Sequence, residues 1–129
     1  MALQHSDLIY VKKIRGKGRG VFAKRPIRKG VIIEQVPVVI LPVQEIYTDT
    51  ISTKLADYVF NWGNDEVAIA LGYGSLYNHS YQPNAAYAAK GRRTQVYSAL
   101  RDIGADEEIT VNYNGCSKSR AELWFDAVH

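Results

Sequence analysis

A mainly β fold, made of several small sheets with short helices, is what this chain predicts, on three observations. Its β-branched and apolar runs are short. Gly, Pro, Asn and Asp break those runs at close intervals. Helical character is confined to one internal stretch and the C-terminal tail.

The elements follow in order. Leu8-Ile-Tyr-Val11 reads as a strand, and the basic, glycine-rich stretch Gly16-Lys-Gly-Arg-Gly20 as a turn. Gly20-Val-Phe-Ala23 is a second strand, closed by the turn Arg25-Pro-Ile-Arg-Lys-Gly30. Val31 to Leu41 is β-branched but holds Pro37, with Pro42 just beyond, so strands with a kink or at an edge are expected there. Thr50 to Trp62 is the best helix: Thr50 or Ser52 would cap it, and Ile51, Leu55, Tyr58 and Val59 form a stripe. Val67-Ala-Ile-Ala-Leu71 is a short buried strand, followed by the Gly72-Tyr-Gly74 break. Ala85 to Ala89 and Thr94 to Leu100 pair through a Lys90-Gly-Arg-Arg93 hairpin. Arg101 to Gly104 turns the chain into a last strand, Glu108 to Tyr113, and Ser117 to His129 suits a short helix.

A length of 129 residues is that of one domain, here 1–129. No apolar run approaches the ~18 residues of a membrane span, so no membrane partner is expected. Met1 to Lys13 lacks the apolar core of a signal peptide, which makes an intracellular, cytoplasmic location the expectation. Cys116 is the single cysteine, which excludes a disulfide framework and a cysteine-rich zinc cluster. Nine of the 16 basic residues fall between Lys12 and Lys29 with no acid among them, and the rest of the chain is net acidic. Such a block is a solvated face or a contact for phosphate or nucleic acid.

Three polar signals stand out. Gly16-x-Gly18-x-Gly20 lets a backbone approach a ligand closely, but no Gly-Lys-Ser/Thr or βαβ unit follows, so neither a Walker nor a Rossmann loop is present. Asn78 and His79 follow the apolar pair Leu76 and Tyr77 and precede Pro83-Asn84, where buried polar side chains need partners. His79 has no Cys or His at ligand spacing, so no metal is expected. Glu107-Glu-Ile-Thr-Val-Asn-Tyr113 ends a strand on a tyrosine, one of nine in the chain.

Taken in order, Gly18-x-Gly20-Val-Phe, Asn78-His79-Ser80-x-x-Pro83-Asn84 and Glu107-Glu108-Ile-Thr-x-x-Tyr113 resemble the SET-domain protein lysine methyltransferases. The resemblance runs from Leu8 to Tyr113, a domain core of about 8–114, and its spacing is that of a minimal domain, similar to the small SET proteins of viruses and bacteria. It implies small curved sheets with a C-terminal pseudo-knot that brings Tyr113 to Asn78-His79. It implies S-adenosylmethionine as cofactor, left as S-adenosylhomocysteine, and a protein lysine, for example on a histone tail, as the acceptor. Lys17, Gly18, Arg19, Gly20, Asn78, His79, Tyr113 and Trp124 would then contact the cofactor. Tyr113 would be the active-site tyrosine, with Tyr58 and Tyr87 on the lysine tunnel. Tyr87 stands where the family controls how many methyl groups are added, and its hydroxyl predicts mono- or dimethylation.

Departures from the family pattern matter as well. Cys116 is one cysteine where larger members carry a zinc-binding cluster, so Trp124 and Phe125 of the tail 115–129, or a second subunit of a homodimer, would cover the site. Ser75 replaces a residue that is often basic. A source in a virus or an intracellular bacterium would place the enzyme in a host nucleus. Nucleic acid is expected only indirectly, through chromatin. Two other functions fit the same residues: a SET-fold peptide-binding module without turnover, and a small basic nucleic-acid-binding domain that uses Lys12 to Lys29.

Overall fold

A computed structural model describes residues 6–16 and 18–113. Nine strands form two sheets. Strands β1 (Ile9–Ile14), β2 (Gly18–Ala23), β6 (Asn78–His79) and β9 (Glu108–Val111) make a four-stranded sheet in the order β1-β2-β9-β6. Strands β3 (Ile32–Pro42), β4 (Val59–Gly63), β5 (Glu66–Ala70), β7 (Ala85–Lys90) and β8 (Thr94–Ala99) make a five-stranded sheet in the order β4-β5-β3-β8-β7.

Strand alternation builds the core. In β8, Gln95, Tyr97 and Ala99 point inward and their neighbours outward. They meet Val36 and Val38 of β3, Ala68 and Ala70 of β5, and the inward residues of the other sheet, among them Ile9, Val21 and Ile109. Burying side chains of this size removes about 1.5–3 kcal/mol of apolar exposure each, which makes the sheet-to-sheet contact the main stabilising term.

The crossover that matters for function involves β6 and β9. They run parallel, with Asn78 beside Thr110 and His79 beside Val111. Strand β9 also pairs antiparallel with β2, so the last described strand is inserted between the N-terminal hairpin and the Asn-His strand. Asn84 ties this crossing together. It is 2% exposed, donates to Glu108 O at 2.8 Å and to Glu107 Oε2 at 3.1 Å, and accepts from Thr110 N at 2.9 Å.

Two expected elements come out differently. Thr50 to Trp62 is not an α-helix: Lys54–Tyr58 makes a short 3-10 turn and Val59–Gly63 is strand β4. Its stripe has little to pack on, since Ile51 is 65% and Leu55 49% exposed. Val59 and Phe60 instead pair with Ile69 and Ala68. Thr53 Oγ1 donates to Ile46 O and so caps nothing. The second difference is β3, which is one continuous central strand. It pairs with β8 over Ile32 to Pro37 and with β5 over Val38 to Pro42. Pro37 sits where one pairing gives way to the other, so its missing N–H breaks no ladder, and its carbonyl accepts from Leu71 N at 3.0 Å.

The basic block divides in space. Lys12, Lys13, Arg15 and Arg19 surround the tip of the β1–β2 hairpin, whereas Lys24 to Lys29 follow at its other end. That end is tied down through the backbone: Arg25 donates to Asp7 O, Lys29 N to Asp102 Oδ1, and Asp106 N to Ala23 O.

Candidate active site

A cleft of about 410 Å³ opens between the hairpin tip, the 3-10 turn and the Asn-His strand. Lys13, Gly18, Arg19, Asp57, Tyr58, Ser75, Leu76, Asn78 and Tyr113 line it. Gly18, Arg19, Tyr58, Asn78 and Tyr113 were each singled out from sequence, and the crossover brings all five to one place.

The hairpin tip is shaped by glycine. Gly16 and Gly18 both have φ of +82°, a left-handed conformation that strains other residues. Gly20 is needed for a different reason, because its backbone is extended. A Cβ there would lie 2.8 Å from Glu108 Oε2, 3.0 Å from Asn78 Nδ2 and 2.5 Å from Ile14 Cδ1. The glycine leaves room for the pair beneath it. Lys13 and Arg19 are cross-strand partners of like charge at the cleft. Facing like charges disfavour pairing unless an anion lies near them.

Asn78 is held by its amide. Nδ2 donates to Glu108 Oε2 at 2.7 Å and to Arg19 O at 3.2 Å. Both partners are acceptors, so the chemistry fixes which end of the amide faces them and leaves Oδ1 as the acceptor end. His79 is 1% exposed and lies behind the cleft. Its Nδ1 accepts from Tyr113 N at 3.0 Å, which puts the ring proton on Nε2 in the neutral tautomer. His79 thus acts on the backbone of Tyr113, and its side chain is not among the cleft-lining groups.

Tyr113 is bound at three points. Its N–H meets His79, its hydroxyl donates to Tyr77 O at 2.5 Å, and its carbonyl accepts from the Tyr87 hydroxyl at 3.2 Å. Burial pushes the Tyr113 hydroxyl well above its ordinary range, and Tyr87, Tyr58 and Glu108 push it the same way. Tyr87 lies behind Tyr113, its ring edge-on to Phe60 at 4.8 Å and tilted toward Tyr97 at 6.0 Å. Ser75 lines the cleft but spends its hydroxyl on Ala70 O at 2.9 Å. Lys17 and Trp124 lie outside the described residues, as do Cys116 and Phe125. Among the described residues, no group of three or more His, Cys, Asp or Glu is placed to hold a metal ion.

The sequence reading missed Glu34. It is 4% exposed on β3, and its carboxylate accepts from Tyr73 N at 2.9 Å and from the Tyr77 hydroxyl at 2.7 Å. The one available signal was an acid inside a β-branched run, a position that burial disfavours unless the group is bonded.

A backbone loop, an amide and a tyrosine converging on one cleft across a parallel crossover define a known class. The SET-domain family model matches residues 18–114, and the chain belongs to the SET-domain family. It is a protein-lysine N-methyltransferase by class. The chain is 32% identical over 117 residues to a Schizosaccharomyces pombe histone-lysine N-methyltransferase, H3 lysine-37 specific, a match that covers 90% of this chain and 76% of that one. It is 31% identical over 130 residues to a Danio rerio N-lysine methyltransferase, covering 90% of this chain and 38% of that longer protein. Among solved structures, a Plasmodium falciparum histone methyltransferase superposes with a TM-score of 0.70 at 34% identity, covering 86% of this chain and 95% of that one.

Proposed function

We propose that this chain transfers a methyl group from S-adenosylmethionine to a lysine side chain of a basic protein, a histone tail being the substrate class that its relatives' names support. The observation that carries this reading is the convergence of Gly18, Arg19, Asn78 and Tyr113 on one cleft.

The residues fit the cofactor. Lys13 and Arg19 together suit a carboxylate, the Asn78 amide presents an acceptor suited to an ammonium group, and the volume is that of a small-molecule site. Gly18 exposes the backbone for close approach. When bound, the cofactor supplies an electrophilic methyl group on a sulfonium.

The chain's own task is alignment. A lysine amine has an unperturbed pKa near ~10.4 and attacks only when neutral. The apolar surfaces of Tyr58, Leu76 and Tyr113 that line the cleft would favour the neutral form by restricting its hydration. Attack of the nitrogen lone pair on that methyl carbon would break its bond to sulfur, with the electron pair left on sulfur. The proton that the substrate ammonium must lose to become a nucleophile passes to water before attack, and the product leaves as a charged methylammonium. Tyr113 keeps its own proton at neutral pH and directs it to Tyr77 O. Its oxygen then accepts: from an amine N–H, or from the polarised methyl C–H. This is catalysis by orientation and electrostatics, with no covalent enzyme intermediate. The tail 115–129, which lies outside the described residues, or a second copy of the chain is the proposed cover of the cleft.

The test is transfer of labelled methyl from S-adenosylmethionine to core histones and to a cell lysate. Tyr113→Phe should lower kcat about 100-fold while cofactor affinity by calorimetry stays within about threefold. Absence of both labelling and cofactor binding in the wild type would overturn the reading.

A further inference from the structure

The segment 72–77 leads into the Asn-His strand, and buried polar side chains hold it from below. Glu34 on β3 takes the Tyr73 N–H and the Tyr77 hydroxyl. Tyr97 on β8 donates to Gly74 O at 2.7 Å and accepts from Gln95 Nε2 at 2.7 Å. The Tyr77 and Tyr97 rings stack at 4.5 Å. The segment presses on its anchors at both glycines. A Cβ on Gly72 would lie 2.7 Å from Glu34 Oε2, and one on Gly74 would lie 3.0 Å from the Tyr97 hydroxyl.

The upper side of this segment is functional. Ser75 and Leu76 line the cleft, and the Tyr77 carbonyl takes the Tyr113 hydroxyl proton. One residue, Tyr77, therefore touches Glu34 with its side chain and Tyr113 with its backbone. Burying a carboxylate in a β-sheet is costly, and an apolar residue at position 34 would avoid that cost. Nothing in the transfer chemistry uses this acid directly.

We propose that Glu34 is a positioning residue for the Tyr113 hydroxyl, acting through Tyr77. Its carboxylate sets the height and rotation of the Tyr77 peptide. That peptide decides which way the Tyr113 O–H points, and hence whether the hydroxyl oxygen accepts toward the reacting amine and methyl. The inference rests on the methyltransferase reading.

A double-mutant cycle tests it, read as kcat with both substrates saturating and well below the melting temperature of every variant. Tyr113→Phe should lower kcat about 100-fold in the wild type but less than about tenfold in Glu34→Ala, where the hydroxyl is already misdirected. Affinity for S-adenosylmethionine should move less than threefold or so in Glu34→Ala, which gives a kcat effect without a matching KM effect. Tyr77→Phe should reproduce Glu34→Ala, and the two together should be no worse than either alone. Glu34→Gln keeps an acceptor for Tyr77 but sets an amide N–H against the Tyr73 N–H, so it should fall between; it carries the test if Glu34→Ala does not fold. An equal factor for Tyr113→Phe in all backgrounds would overturn the proposal and leave Glu34 a stability residue. A crystal structure of a Glu34 variant separates this failure from that of the parent reading. If the wild type transfers no methyl group to lysine, the parent reading falls, and an unmoved Tyr113–Tyr77 contact in the variant would then overturn the Glu34 proposal by itself.

Discussion

The backbone N–H of Tyr113 donates to Nδ1 of His79 at 3.0 Å, across 34 positions of sequence. His79 is thus a buried acceptor for the main chain of Tyr113. His79→Ala should leave that N–H without its acceptor and open a cavity, a loss of about 2–4 kcal/mol in urea unfolding. His79→Asn, whose Oδ1 can stand in for Nδ1, should recover part of the stability and more of the activity than Ala does. Equal loss in both variants would mean that the bond to Tyr113 is unimportant.

Gly20 tests the floor of the cleft. A Cβ at 2.8 Å from Glu108 Oε2 and 3.0 Å from Asn78 Nδ2 must separate that pair. Gly20→Ala should weaken S-adenosylmethionine binding about tenfold or more by calorimetry, at a stability cost of about 1–3 kcal/mol from overpacking. Gly16→Ala has open space around its Cβ and only its φ of +82° to contend with, so it should destabilise with a smaller effect on affinity.

We propose that Tyr87 bears on product multiplicity. Its hydroxyl reaches Tyr113 O at 3.2 Å, a long and replaceable bond. Tyr87→Phe should fold normally and shift the product by mass spectrometry toward higher methylation. An unchanged product pattern would count against a role for this hydroxyl.

Alkaline stability follows from three buried phenols. Burial raises Tyr77, Tyr97 and Tyr113 above the ordinary tyrosine range; Glu34 adds to this at Tyr77 and Tyr97, while Gln95 partly offsets it at Tyr97. Their folded pKa values exceed the unfolded value near ~10, so their contribution is complete below pH ~10 and is lost as pH rises beyond it. The unfolded chain then holds fewer protons than the folded one, and each phenol subtracts up to about 1.4 kcal/mol per pH unit. Denaturation midpoints measured from pH 8 to 11 should be level at first and fall steeply above 10. Tyr97→Phe should start lower and fall less steeply.

Much of the candidate site was legible because its residues are of special types. Gly18, Asn78, His79 and Tyr113 sit where local pattern and burial conflict with simple strand formation, and such conflicts mark sites. Glu34 was not legible as part of it, and Asn84 was legible only as a motif residue without its partners. Their importance lies in partners 23 to 43 positions away. The Thr50 to Trp62 helix failed for a related reason: its stripe had helical spacing, but the pairing surface of β5 outweighs a helix with nothing to pack on.

By itself the sequence determined the mainly β class, the hairpins at 8–23 and 85–100, and the residue types able to hold a cofactor and orient an amine. Turn chemistry and alternation are local, so they survive being read along one chain. Tertiary structure alone decided that β9 runs between β2 and β6, that Asn78 spends its amide N–H on Glu108, and that the His79 side chain accepts from the Tyr113 N–H. These are long-range hydrogen bonds, and each depends on how the sheets pack rather than on any neighbour in sequence.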